Sequence, residues 1–181
     1  MGKQTLTSES KLEQRFWRFW LGGLLLLAIM IAMNAWFVND VSPWGIRDHQ
    51  SAGTAARVDA IQSAWQSAGV LGLARLGIAI DLVYIATYSF GAYCSGRLFG
   101  QTEHPALRRL GWIIVAAAVI LGVTDYLETI CQFIQILTFE GNDLLAGIAA
   151  TAQPIKSVAF LISFFGILVA LVIRRKSRHS A

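Results

Sequence analysis

Apolar residues along this chain fall into four nearly unbroken stretches, from about Phe16 to Val38, Gly69 to Tyr93, Leu110 to Leu137 and Ile148 to Ile173. Each has the roughly 20 residues that an α-helix rising about 1.5 Å per residue needs to cross a hydrocarbon layer about 30 Å thick. The pattern predicts an all-α fold, an integral membrane four-helix bundle forming one domain over residues 1–181. The first stretch is too long for the apolar core of a signal peptide, and no A-x-A pattern follows it, so a retained anchor is expected. Leu6 stands where N-myristoylation would need Ser or Thr, which argues against a lipid-modified Gly2.

The segments between the stretches differ in kind. Residues 39–68 form the longest. After the turn signal "SPWG", Val58, Ile61 and Trp65 recur at helical spacing, with Arg57, Asp59, Gln62 and Gln66 distributed between them. This predicts an amphipathic helix between spans 1 and 2, either separate from the second span or continuous with it, serving as a brace or as a partner-docking face. The connection "SGRLFGQTEHPALRR" is short and basic. "FEGND" is shorter still and makes the third and fourth spans antiparallel neighbours. Ala118 with Gly122, and Gly166 with Ala170, are small residues spaced for close helix approach.

Basic residues set the expected orientation. Lys3, Lys11, Arg15 and Arg18, then Arg97, Arg108 and Arg109, then Arg174, Arg175, Lys176 and Arg178 would all lie on one side, against Arg47 and Arg57 on the other. Both termini are therefore predicted inside and residues 39–68 outside. With 55% hydrophobic and 14% charged residues, the chain does not have the composition of a soluble domain. Its net charge of +4 is accounted for by headgroup-facing residues and by "RFWRFW" at the interface, without a nucleic-acid partner. Cys94 and Cys131 fall in different layers and are expected to be free packing residues. His49, His104 and His179 lie outside the spans, where a solvated surface role is expected.

Polar residues inside the spans change the picture. In the third, Asp125, Glu128, Gln132 and Gln135 are spaced i, i+3, i+7, i+10 and share one helical face. In the second, Arg75 is followed by Asp81, Tyr84 and Tyr88 at i, i+3, i+7; the fourth carries Lys156, with Ser163 on the same face. Counted from the expected outer ends, Arg75 and Lys156 lie roughly 7 to 10 Å deep, Glu128 about 15 Å, and Asp81 and Asp125 about 18 to 20 Å. Each charge at the bilayer centre costs about 2.5 to 3.5 kcal/mol on insertion scales, so these groups must face one another or water. Three carboxyls against two cations leave one carboxyl in excess, a setting that favours proton sharing between Asp125 and Glu128, answered by Lys156 and Arg75.

"DLVY" (Asp81–Tyr84) followed by "DYLE" (Asp125–Glu128) resembles a group of small, uncharacterised four-span bacterial membrane proteins, in which Asn follows the Glu where this chain has Thr129. The resemblance implies a bacterial inner-membrane bundle whose intramembrane acids matter. Three functional readings stay open. One is a structural or accessory-subunit role, as a homodimer or within a larger membrane complex. Another is a proton-coupled or ion-coupled permease or binding protein. The last is a lipid-modifying enzyme using a carboxyl as acid or base. No catalytic or metal motif is present in the sequence, and no cofactor is implied.

Overall fold

The computed structural model describes residues 2–179, with side chains described from 10 to 177. The side chains of Lys3, Leu6, Arg178 and His179, used above, lie outside the described residues. All regular elements among the described residues are helical: α1 (Gly2–Asn34), extended by a 3-10 turn over Ala35–Phe37, α2 (Ile46–Gln50), α3 (Ala55–Ser67), α4 (Leu71–Gly100), α5 (Pro105–Thr138) and α6 (Asp143–His179). Among the described residues four segments are long and apolar enough to cross a membrane: Ser10–Phe37, Leu71–Gly100, Pro105–Thr138 and Asp143–Ser177.

The helices overrun the hydropathy bounds because hydropathy reports the hydrocarbon thickness, whereas local chemistry sets where a helix stops. Pro105 opens α5, at a position where its missing N–H is not needed, and His104 Nδ1 accepts the Leu107 N–H at 3.4 Å. Phe139 adopts φ 56°, and the Glu140 N–H returns to the Gln135 carbonyl at 3.3 Å, closing α5. Asn142 then caps α6 by accepting the Leu145 N–H at 3.1 Å.

The chain packs as two compact units, one made of Met1–Leu24, Ala86–Gly122 and Ser157–Ala181, the other of Leu25–Ile85 and Val123–Lys156. The first unit is rich in aromatic contacts. Phe16 meets Phe99 edge-on at 6.2 Å, Tyr88 lies 5.1 Å from Phe160, and Glu13 pairs with Arg174 through two contacts of 2.7 and 3.1 Å. Its closest backbone approaches are not at the small-residue pairs singled out in the sequence. A Cβ on Gly122 or Gly166 would meet the side chains of Ser89 or Ile114, whereas one on Gly96 would sit 2.7 Å from the Gly111 carbonyl. Spacing within one helix identifies a small surface, but the partner's backbone decides whether it is used. Gly96→Val is expected to cost about 1 to 3 kcal/mol through overpacking, read as a lower unfolding midpoint in detergent; an unchanged midpoint would show that α4 and α5 have room to part.

The second unit is built on α3. Thr54 accepts the Arg57 N–H at 3.3 Å to start it, and Gly69, at φ +72°, ends it while the Val70 N–H bonds the Trp65 carbonyl at 2.9 Å. Helix α3 is therefore separate from α4. Val58, Ile61 and Trp65 are fully buried, and Ile61 and Trp65 form a core with Phe37, Ala74, Ile78 and Ile136. Gln62 is also buried, at 1% exposure, because 58, 61, 62 and 65 form one i, i+3, i+4, i+7 stripe; it does not lie on the polar face with Asp59 and Gln66. The helix is fixed to the α5–α6 turn by Ala55 N–H to Asp143 (2.7 Å) and Gly141 N–H to Asp59 (2.6 Å).

Candidate functional site

Helix α5 is polar inward and apolar outward in the second unit. Asp125, Glu128, Gln132 and Gln135 are 3%, 0%, 1% and 1% exposed, while Leu127, Ile130, Ile134 and Leu137 are exposed on the other side. A water-soluble helix would show the reverse. An exposed apolar stripe over a buried charged one fits a lipid surround, where apolar side chains need no cover and charges need one another.

Lys156 is the hub of the buried face. Its Nζ donates to Asp125 Oδ1 at 2.7 Å and to Glu128 Oε1 at 2.8 Å, joining α6 to two turns of α5. The ammonium thus occupies the place between the two carboxylates that a bound cation would otherwise take. Gln132 Nε2 adds a second bond to Glu128 Oε1 at 2.8 Å, while Glu128 Oε2 is buried without a hydrogen-bond partner. From α4, Asp81 receives the Thr129 hydroxyl on Oδ2 at 3.0 Å, and both Asp125 and Lys156 are near enough to act on it electrostatically. Asp81 also lines a small pocket of about 30 Å³ walled by Met30, Met33 and Phe37 from the end of span 1, Ile46 and Gln50 from α2, and Gly77 and Ile78 from α4.

Arg75 was expected to answer the carboxylates. Instead its Nε donates to the Ile136 carbonyl at 3.0 Å, so its planar fork serves the backbone of α5. Gln135 bridges within α5 and onward, donating to the Cys131 carbonyl at 3.1 Å and accepting the Asn142 N–H at 3.0 Å. Tyr84 is buried in the second unit one turn beyond Asp81, whereas Tyr88 belongs to the first unit. Cys94 and Cys131 are both free and buried.

Three residues join this polar system that the sequence did not single out in it: Thr129, Gln62 and His49. Thr129 sits one turn after Asp125 and next to Glu128, a position that the i, i+3 pattern passes over. His49 was expected on a solvated loop. It is 1% exposed, stacked on Trp65 with centroids 5.4 Å apart, and its Nε2 lies 3.4 Å from Gln62 Nε2. The contact pairs the ring with a buried amide, and which of the two donates follows the imidazole tautomer. Burial pushes the imidazole down from 6.5 to about 4, opposed by the neighbouring Gln132 side chain. Helix α2 has five residues, too few for any periodicity to mark its buried face.

Hydrogen bonds therefore run from Lys156 through Glu128 to Gln132, which lies near the His49–Gln62 pair, with Asp81 and Thr129 at its side. Such an array can hold helix register, and it can hold a proton. No family model, curated protein or solved structure matches the chain.

Proposed function

We propose that this is a small multi-pass protein of the bacterial inner membrane, with both termini cytoplasmic and α2–α3 on the outer face. Its buried network serves a structural or accessory-subunit role. The supporting observation is the seating of Lys156 Nζ between Asp125 and Glu128, which are 3% and 0% exposed, so that the ion pairs bind helices and offer no surface to a substrate. The pocket at Asp81, about 30 Å³, is of a size for water. The outward apolar stripe supplies the lipid contact, and a homodimer or larger membrane complex supplies the partner.

A C-terminal fluorescent reporter that matures only in the cytoplasm is expected to be bright, and an export-dependent phosphatase at the same point silent. An active phosphatase would reverse the orientation. For the accessory role, the chain extracted in mild detergent is expected to migrate with a partner or a second copy, and migration as a bare monomer at every detergent level would sink that role. A second reading, a proton-coupled or ion-coupled protein, is favoured by the surplus of acid: two carboxylates share a single lysine, Asp81 stands beside them bonded to Thr129, and Glu128 Oε2 has no donor.

A further inference from the structure

Three acids from two helices meet one ammonium. Lys156 gives hydrogen bonds to Asp125 and Glu128 and none to Asp81, whose hydrogen-bond partner is the Thr129 hydroxyl. With all three acids ionised, the cluster would carry a buried excess of two negative charges, a state that low-dielectric surroundings penalise heavily. The acid without the lysine is also the one at a pocket wall, 8% exposed where Glu128 is 0%.

We infer that Asp81 is a proton-binding site, its carboxylate taking a proton from hydronium in the pocket between α1, α2 and α4 and returning it to water there. The pocket chemistry favours a proton over a metal cation. Hard cations such as Mg²⁺ or Ca²⁺ take about six or more oxygen ligands, whereas the side chains here offer Asp81 and Gln50 among Met30, Met33 and Phe37. A proton needs one carboxyl oxygen. At about 30 Å³ the space exceeds the roughly 10 to 15 Å³ a water requires. The charged and titratable groups facing Asp81 are Asp125 and Glu128 from α5 and Lys156 from α6, while α1 and α2 present apolar side chains and Gln50. His49, also on α2, faces Trp65 and Gln62. The inference goes beyond the bracing role and uses the membrane reading only for the dryness of the surroundings. A reversed orientation would leave it standing.

The test is infrared spectroscopy of the purified full-length protein in detergent, following the carbonyl stretch of protonated carboxyl groups near neutral pH. A protonated-carboxyl band is expected, decreasing as pH rises, shifting promptly in D₂O, lost in Asp81→Asn and kept in Glu128→Gln. Gly77→Ala provides a variant that leaves the acids alone: a Cβ there meets Met33 and Phe37 at 3.7 and 3.8 Å, ordinary contact that narrows the pocket without a clash. It should keep the band and slow its exchange. A band that survives Asp81→Asn would place the proton elsewhere and overturn the inference, as would absence of a band in the wild type. Unchanged exchange in Gly77→Ala would remove the pocket as the route. Loss of the band in sodium chloride but not in choline chloride would make the site a sodium site instead.

Discussion

Lys156→Ala is expected to destabilise the detergent-solubilised protein by about 3 to 5 kcal/mol, the range for stripping one partner from a buried ion pair. The effect comes from what is left behind. Asp125 and Glu128 keep their burial and lose the ammonium at 2.7 and 2.8 Å, and Glu128 already has one oxygen without a donor. Intramembrane hydrogen bonds by themselves average well under 2 kcal/mol, so a loss that small would mean that water or a proton replaces the lysine. Adding Glu128→Gln to Lys156→Ala removes one stranded charge and should restore part of the loss, with a coupling of about 1 kcal/mol or more; strict additivity would show that the two side chains do not depend on each other. Arg75→Ala, which forfeits a bond to a backbone carbonyl, should cost less, about 1 to 3 kcal/mol.

The next largest effect is an acid sensitivity centred on His49. Its imidazole is depressed from 6.5 to about 4 by burial, so the folded protein binds fewer protons than the unfolded chain between those values. Stability from this group is complete above about pH 6.5, falls as pH drops toward 4, and changes no further below that. The full span corresponds to about 3 kcal/mol. His49→Phe preserves an aromatic ring against Trp65 and cannot titrate, so its stability curve should lack this part of the fall between pH 7 and 4.5. Carboxyl groups titrating in the same window act on both proteins alike. Parallel curves for wild type and variant would place the acid sensitivity elsewhere.

The four spans and the polar stripe on α5 were legible because both are properties of one helix: length, and a 3.6-residue repeat. The stripe on α3 was legible for Val58, Ile61 and Trp65, but Gln62 was misjudged, since a buried amide looks polar until its partner is known. That partner, His49, sits on a single short turn with no repeat to mark it. The target of Arg75 was hidden for another reason. A long side chain can reach any carbonyl within several ångströms, and carbonyls carry no residue identity. Thr129 became visible only once Asp81 was set beside it by the packing of α4 on α5.

The clasp of α3 on the α5–α6 turn bears on how the protein is made. Asp59 must wait for Gly141, 82 residues later, and Ala55 for Asp143, 88 residues later. At synthesis rates of about 5 to 20 residues per second, that leaves roughly 4 to 18 s between the emergence of α3 and the arrival of its clasp. Throughout that interval Ile61 and Trp65 lack Ile136, one of the core residues that cover them in the finished protein. The nascent chain therefore stays open at this segment until the α5–α6 turn is made, and substitutions at Asp59 or Asp143 would remove the clasp that then closes it.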